Sequence, residues 1–262
     1  MAGERILIVD DNPVNLRLTT MLLEKEGYEV ATAPDGESAL RMLEQFNPRI
    51  ILMDVQLPGI DGLEVTRRIK ANPAHSGIVV VALTAYAMKG DEEKALQAGC
   101  DGYVSKPINT RALPRMIREY IDGRRAVSKT VPAPNAGRFM DSSVIDLGAL
   151  SERVGRNTEL MREIVQIFFD RYPAILAKAR DAVVARNFKE VERAAHSIRG
   201  YVMNFNARRA SEAARELEIT GRLTDACNID MAFSKLEREI ELLAPLLASL
   251  QGQQAAAVSG GR

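Results

Sequence analysis

Over the first 122 residues, short runs rich in aliphatic and β-branched residues alternate with amphipathic stretches. Such alternation is typical of parallel strands joined by helices that cover both faces of a sheet. We therefore predict an α/β doubly wound fold with a five-stranded parallel sheet for residues 1–122. Helices are expected at Pro13–Glu26, Asp35–Phe46, Gly62–Ala71, Lys89–Ala98 and Thr110–Ile121.

The pattern changes twice after this region. Residues 123–143, GRRAVSKTVPAPNAGRFMDSS, are small, polar and proline-containing, which predicts a flexible linker. Residues 144–251 keep a helical periodicity and predict an all-α four-helix-bundle domain, with Pro173 expected to kink or divide its second helix. Residues 252–262 predict a disordered tail. The helices are expected at Leu147–Val154, Asn157–Ala185, Phe188–Phe205, Arg208–Leu223 and Asp225–Leu250.

Composition narrows the classes of partner. The 35 Lys and Arg residues equal the 35 Asp and Glu residues, so nothing favours nucleic acid or an anionic membrane. There is no long apolar run or signal-peptide core, and we expect a cytoplasmic protein. Cys100 and Cys227 fall in different predicted domains, which suits a reducing compartment, and neither they nor His75 receive a functional role.

Five polar side chains follow predicted strands. Asp10 and Asp11 follow Arg5–Val9, Asp54 follows Ile50–Met53, Thr84 follows Ile78–Leu83, and Lys106 follows Gly102–Ser105. The carboxyl ends of strands in an open α/β sheet share one crevice. Three carboxylates there would resist ionisation unless a hard cation neutralised them. The pattern therefore predicts a Mg²⁺ site that receives a phosphoryl group.

The segments ILIVDDN, LMDVQLPGIDG and ALTAYAMKGDEEKALQAGCDGYVSKPI carry a resemblance to a known family. They resemble the receiver domain of two-component response regulators, most closely the single-domain DivK type, which implies a flavodoxin-like fold. The resemblance makes Asp54 the phosphoacceptor. It assigns the Mg²⁺ ligands to Asp10, Asp11, Asp54 and the backbone carbonyl of Gln56.

The same resemblance implies how the site responds to phosphorylation. Lys106 would pair with the acyl phosphate, and the Lys106–Pro107 peptide bond would be cis. Thr84 would hydrogen-bond the phosphoryl group, and Tyr103 would repack when the threonine moves. Taken alone, an aromatic residue such as Tyr103 on an edge strand is often simply a packing residue.

A second candidate centre lies in the all-α region. Four apolar residues at helical spacing predict a buried stripe: Val191, Ala195, Ile198 and Val202. His196 lies one step off this stripe, with Arg199 and Gly200 at i+3 and i+4. An exposed imidazole beside a cation and an open position suits phosphorylation, although spacing alone favours an ordinary histidine with a structural hydrogen bond.

The wider text around His196 carries a second resemblance. AAHSIRG, followed by Asn204 and ASEAARELE, resembles the histidine phosphotransfer (HPt) domain over about residues 146–250. The resemblance makes His196 a phosphoacceptor, with Arg199 and Gly200 forming its phosphoryl environment. Arg199 stands where lysine is common, and Tyr201 and the Phe205-Asn206 pair also depart from the family pattern, which we expect to affect the fit to partners.

Two phosphoacceptors in one chain predict a two-component phosphorelay protein that exchanges phosphoryl with a histidine kinase and other receiver domains. Nothing resembles a kinase nucleotide-binding domain or a P-loop, so the phosphoryl must come from another protein. A receiver-driven binding regulator of a histidine kinase, with the HPt domain as a docking module, remains the alternative. A haloacid dehalogenase-type phosphatase lacks its Asp-x-Asp motif here, and a DNA-binding output lacks a basic recognition helix.

Overall fold

The computed structural model of the protein describes residues 3–84, 91–123 and 144–252. The chain divides into two compact units, Met1–Phe139 and Met140–Arg262. The predicted linker and tail lie outside the described residues, except for Gly123 and Gly252. Among the described helices, none combines the length and apolar character that a membrane span requires.

The first unit is a parallel sheet in the order β2-β1-β3-β4-β5, with all its strand pairs parallel. The predicted doubly wound fold is confirmed. In chain order its elements are β1 Arg5–Val9, α1 Pro13–Lys25, β2 Glu29–Ala33, α2 Gly36–Phe46, β3 Ile50–Asp54, α3 Gly62–Ala71, β4 Val79–Thr84, α4 Asp91–Gln97, β5 Gly102–Ser105 and α5 Leu113–Ile121. The part of the fourth predicted helix before Asp91 lies outside the described residues.

The sheet is buried on both faces because successive strand residues point to opposite sides. Leu7 and Ile51 belong to the core shared with α2 and α3, while Ile8 and Leu52 belong to the core shared with α5. Each fully buried aliphatic side chain stabilises the fold by about 1.5–3 kcal/mol. These two cores fix the strands, and thereby the polar residues at the strand ends.

Side-chain caps set where three helices begin. Asn12, Asp35 and Asp61 accept hydrogen bonds from backbone N–H groups in the first turns of α1, α2 and α3. Pro13 then occupies the first turn of α1, where its missing N–H costs no helical hydrogen bond. The turns after β1 and β3 are thereby held close to the carboxyl ends of these strands.

The second unit is entirely helical in its described residues. Its helices are α6 Leu147–Arg153, α7 Thr158–Val184, α8 Phe188–Asn204, α9 Arg208–Arg222 and α10 Ile229–Gly252. Pro173 lies inside α7 without dividing it, and its ring is on the exposed side, where water can satisfy the carbonyl that loses a helical partner. The last helix begins later than expected because Asp225 accepts from the N–H groups of Cys227 and Asn228 and holds a turn there.

Aromatic residues fill the core between α7 and α8. Phe168 stacks on Tyr172 with ring centroids 4.6 Å apart and meets Phe205 edge-on at 5.3 Å. Tyr201 is buried and packs 6.4 Å from Phe168. Tyr201 and Phe205 therefore continue the buried stripe of α8 into the core, and neither side chain is exposed for direct contact with a partner.

Candidate functional site

The sheet order brings the predicted polar residues to one edge. Strands β1, β3, β4 and β5 are consecutive parallel neighbours, so their carboxyl ends meet on the same side. Asp10 follows β1, Asp54 ends β3, Thr84 ends β4 and Lys106 follows β5. The order β1 next to β3 also makes this edge a topological switch point, where open α/β sheets bind ligands.

Three carboxylates converge in this crevice. One oxygen from each of Asp10, Asp11 and Asp54 lies within 4.8 Å of the others. Asp10 and Asp54 are buried, whereas Asp11 is half-buried. The N–H of Gln56 donates to Asp54 Oδ1 at 3.1 Å. A set of hard oxygen donors at this separation fits a small divalent cation.

Lys106 links two of the three carboxylates. Its Nζ lies 2.5 Å from Asp54 Oδ2 and 2.8 Å from Asp10 Oδ2. Burial alone would lower the pKa of Lys106, but the adjacent Asp10 and Asp54 outweigh it and raise that pKa above its ordinary value. Lys106 therefore remains a cation in the crevice at neutral pH.

Burial and crowding of the carboxylates affect the ionisation of Asp54. Burial raises the pKa of Asp54 to about 7, with Asp10 and Asp11 adding to the rise and Lys106 opposing it. A single lysine thus does not offset three crowded carboxylates. A bound divalent cation would favour the ionised form that Asp54 needs as a nucleophile.

Two asparagines hold Asp10 from the start of α1. The N–H of Asn12 donates to Asp10 Oδ1 at 2.9 Å, and Nδ2 of Asn15 lies 3.0 Å from both Asp10 oxygens. Both asparagines are buried. Sequence reasoning missed them, because an asparagine at the start of a helix suggests a cap and nothing more.

A close backbone contact fixes the position of Asp54. A Cβ at Gly62 would lie 1.8 Å from the carbonyl oxygen of Asp54, a distance that no side chain could relieve. The N–H of Gly62 also donates to the carbonyl of Val55 at 3.1 Å. Glycine therefore lets the first turn of α3 sit directly against the end of β3.

The two predicted switch residues are both buried. Thr84 lies at the end of β4, and its carbonyl accepts from the N–H of Lys106 at 2.7 Å. The hydroxyl of Tyr103 donates to Oε2 of Glu92 on α4 at 2.8 Å. The Lys106–Pro107 peptide bond is cis, as expected. Tyr103 thus ties β5 to α4 as well as packing in the core.

The second site is built around His196 in the middle of α8. The four predicted stripe residues are all buried, and the His196 side chain beside them is only 13% exposed. Its Nδ1 lies 3.1 Å from Oε1 of Glu218 on α9. The sequence predicted an exposed imidazole. In the structure the ring is largely buried, and its Nδ1 contacts Glu218.

Glu218 is shared by three partners. Its side chain is fully buried, and Oε2 accepts from Nη1 of Arg199 at 3.1 Å. Nη2 of Arg222 lies 3.3 Å from Oε1. Arg199 is itself 7% exposed, so it supports the site from within and does not stand open beside the histidine. Two arginines favour the ionised form of this buried carboxylate.

These contacts assign the tautomer of His196. An ionised carboxylate can only accept a hydrogen bond, so Nδ1 must carry the hydrogen that points to Glu218. The lone pair then lies on Nε2, at the other side of the ring. A histidine in this tautomer would act as a nucleophile through Nε2.

Helix α9 packs close to α8 because Gly221, which has no side chain, lies at the contact between the two helices. A Cβ at Gly221 would lie 2.8 Å from the backbone nitrogen of Glu192 and 3.0 Å from the carbonyl oxygen of Phe188, so only glycine permits this approach. Arg222 then reaches Glu192, with Nε 2.7 Å from Oε1. Gly200, one turn after His196, is half-buried, and its carbonyl accepts from Asn204.

Sequence reasoning did not find Glu218 or Arg222. One signal was present: Glu218 interrupts a face of α9 that is otherwise apolar and small, formed by Ala210, Ala214, Leu217 and Gly221. A charge on such a face requires a buried partner. Which residue of α8 is the partner of Glu218 depends on how α9 is aligned against α8, and helical periodicity does not specify that alignment.

Comparison with known families divides the chain in the same way. Residues 6–118 match the response regulator receiver domain, and residues 163–251 match the Hpt domain. The first region contains the carboxylate cluster and Lys106. The second contains His196, Glu218 and the two arginines that contact Glu218.

Curated relatives of known name support the first match. The polar-differentiation response regulators DivK of Brucella ovis and Brucella melitensis are each 43% identical over 116 residues, covering 44% of this chain and 94% of theirs. Among solved structures, the receiver domain of sensor histidine kinase PA1611 from Pseudomonas aeruginosa is 40% identical, covering 46% of this chain and 99% of that one, with a TM-score of 0.44. A CheY-like receiver domain protein from Methanospirillum hungatei is 34% identical, covering 47% and 97%, with a TM-score of 0.44.

The sequence identity, the two domain matches and the sheet with its acidic crevice agree with one another. Receiver and Hpt domains are the components of two-component phosphorelays. The chain therefore belongs to the response regulator receiver family and, with its C-terminal Hpt domain, is a two-component phosphorelay protein.

Proposed function

We propose that this protein is a phosphorelay intermediate that accepts phosphoryl on Asp54 and carries it on His196. Residues 1–122 and 144–251 are the two working modules, and residues 123–143 connect them. The observation that carries the proposal is the contact between His196 Nδ1 and the buried Glu218, 3.1 Å apart. It supports a histidine prepared for nucleophilic attack in the same chain as an aspartate in an acidic crevice.

At the receiver site, Asp10, Asp11, Asp54 and the backbone carbonyl of Gln56 would hold Mg²⁺. The convergence of three carboxylate oxygens within 4.8 Å supports this ligand set. Once bound, the ion supplies positive charge that offsets the carboxylates and the incoming phosphoryl oxygens. Lys106 adds a positive charge from the chain itself, next to Asp10 and Asp54.

In the loading step, an oxygen of Asp54 attacks the phosphorus of a phosphohistidine on another protein. The P–O bond to Asp54 forms as the P–N bond to the donor breaks, and the donor nitrogen leaves with its electron pair. Lys106 then pairs with the phosphoryl oxygens. Thr84 hydrogen-bonds the same group, and Tyr103 changes its packing in response.

At the second centre, Nε2 of His196 attacks the phosphorus of an aspartyl phosphate, and the P–O bond to aspartate breaks. The imidazole gains positive charge as the new P–N bond forms. Glu218 stabilises that charge through the hydrogen on Nδ1, and Arg199 keeps the carboxylate in place.

The partners are a histidine kinase and other receiver domains. The function requires neither nucleic acid nor membrane insertion, and we assign it to the cytoplasm.

Phosphoryl loading of wild type, Asp54→Asn and His196→Gln tests the proposal. Phosphorylated histidine kinases and receivers serve as donors, and the acid and alkali stability of the label identifies the bond. We expect an acid-labile, alkali-stable label that requires His196 and a separate alkali-labile label that requires Asp54. Transfer to a downstream receiver that survives His196→Gln would refute the relay.

The binding-regulator alternative depended on Tyr201 and Phe205 as changes to a partner surface. Both residues are buried in the helical core. No described contact now favours that alternative over the relay.

A further inference from the structure

Asn15 on α1 contacts Asp10 but has no part in the phosphoryl transfer proposed above. Its Nδ2 lies 3.0 Å from Oδ1 and 3.0 Å from Oδ2 of Asp10. Both side chains are buried, Asp10 completely. A donor shared by both oxygens of a buried carboxylate holds the group at that position and stabilises its ionised form.

Asp10 is also the carboxylate that shares Lys106 with Asp54. Nζ of Lys106 lies 2.8 Å from Asp10 Oδ2 and 2.5 Å from Asp54 Oδ2. A displacement of the Asp10 carboxylate would therefore move one of the two anions that contact the lysine. The hydrogen bond from Asn15 opposes such a displacement, and contacts lead from Asn15 through Asp10 and Lys106 to Asp54.

We propose that Asn15 is a positioning residue for the phosphoacceptor site. By fixing the Asp10 carboxylate, it sets the arrangement in which Asp10, Asp11 and Asp54 receive a divalent cation and in which Lys106 meets Asp54. The inference rests on the proposed Mg²⁺-dependent phosphorylation of Asp54.

The contact has a different purpose from a helix cap. The cap of α1 is already supplied by Asn12, whose Oδ1 accepts from the N–H of Val14 at 2.9 Å. Asn15 is the third residue of α1, and its side chain donates to Asp10 and makes no cap. Its buried amide is therefore explained by its carboxylate partner.

The test compares Asn15→Ala and Asn15→Leu with wild type in the full-length chain. Leucine keeps the branching at Cγ but donates no hydrogen bond, so it separates loss of the donor from loss of volume. Asn72→Ala is the matched control, because Oδ1 of Asn72 accepts from the N–H of Ala74 on the exposed surface. The readouts are Mg²⁺ affinity by titration calorimetry, the melting temperature without divalent cation, and the rate of Asp54 phosphorylation by a small acyl phosphate across a Mg²⁺ series.

Removing a hydrogen-bond partner of a metal-binding carboxylate weakens metal binding by about 10- to 100-fold. We expect both Asn15 variants to lose about tenfold or more in Mg²⁺ affinity and to need correspondingly more Mg²⁺ for half-maximal phosphorylation. Their cation-free melting temperatures should stay close to that of Asn72→Ala.

Mg²⁺ affinity equal to wild type in both variants would overturn the role of Asn15. The role would also be overturned if the variants lost Mg²⁺ affinity only because their cation-free melting temperatures were so low that part of the protein was unfolded during the titration. If wild type itself neither binds Mg²⁺ nor accepts phosphoryl on Asp54, the proposed function fails as well. The wild-type result thus separates failure of the function from failure of the inference.

Discussion

The two proposed phosphoacceptor sites use buried carboxylates in opposite ways. In the receiver, Asp54 is the proposed nucleophile and shares a crevice with two other carboxylates and Lys106. In the helical unit, the carboxylate of Glu218 contacts the proposed nucleophile, His196, and is paired with Arg199 and Arg222. The first site has an excess of negative charge that an added cation would offset, whereas the carboxylate of the second is neutralised by arginine side chains of the same unit.

The largest expected effect comes from replacing Glu218, whose carboxylate is paired with two arginines. Glu218→Ala leaves Arg199 buried without this partner and releases the His196 ring. Removing one member of a buried ion pair costs about 3–5 kcal/mol. Urea unfolding of the helical unit should show a loss of this size, together with loss of the His196-dependent label.

Glu212→Ala on the same helix is the matched control. Glu212 pairs with Arg208 on the surface, where both side chains are about 60% exposed. Such pairs contribute less than about 1 kcal/mol. Equal losses in the two variants would contradict the view that Glu218 is structurally and chemically distinct.

Gly221→Ala changes the helix packing without touching a charge. Its new Cβ would meet the backbone of Glu192 and Phe188, which cannot move aside as a side chain can. Forcing an extra methyl group into such a contact costs about 1–3 kcal/mol. We expect a lower melting temperature and slower phosphoryl transfer to His196.

Gly148→Ala serves as the comparison for this change. A Cβ at Gly148 would meet only the side chain of Asp146, at 3.4 Å. Alanine favours a helix over glycine, so this variant should be neutral or slightly more stable. A similar loss in both variants would indicate a general effect of the substitution and not a close approach of α9 to α8.

Asp54→Asn tests the charge excess of the receiver site through the pH dependence of protein stability. Because the folded-state pKa of Asp54 is raised to about 7, its contribution to stability is present at low pH and is lost as pH rises from about 4 to 7. Without divalent cation, Asp54→Asn should therefore be more stable than wild type at pH 8, by at least about 1 kcal/mol. The difference should vanish near pH 4.

Asp35→Asn should show the opposite sign. The N–H of Ser38 donates to Asp35 and lowers the pKa of that carboxyl, so its contribution is present above the ordinary pKa and is lost as pH falls. Thermal melts of the three proteins across pH 4–8 provide the comparison. A stability difference between wild type and Asp54→Asn that does not change with pH would contradict the raised pKa of Asp54.

The smallest effect concerns the cysteines and leaves folding unchanged. Burial raises the pKa of Cys100 to about 11, so its thiol stays protonated and enclosed at pH 8. Cys227 is exposed in the turn before α10. Alkylation of the native protein, followed by mass mapping, should modify Cys227 and leave Cys100 intact; rapid modification of Cys100 would show that the sheet opens.

The same contrast explains how much could be read from the sequence. The receiver residues were found because strand ends converge by a general rule of parallel sheets, so order along the chain predicts position in space. The helical site was found only in part. His196 and Arg199 share one helix, but Glu218 and Arg222 come from another, and periodicity does not state which faces of two helices meet.

Other errors have local causes. Pro173 was expected to kink or divide α7, and α7 continues through it from Thr158 to Val184, so the proline does not divide the helix. Asp225 was expected to start the last helix, but its side chain instead forms the turn that precedes it. In both cases the outcome depends on a solvent-facing or side-chain contact that a pattern of apolar residues does not contain.

Because Glu218 serves two arginines as well as the histidine, selection acts differently on the members of this group. A descendant that abandoned phosphotransfer could replace His196 with little penalty to its fold, while Glu218 would still be retained for Arg199 and Arg222. Replacing the imidazole alone should therefore leave the packing of α9 against α8 in place, whereas replacing the carboxylate should disturb it.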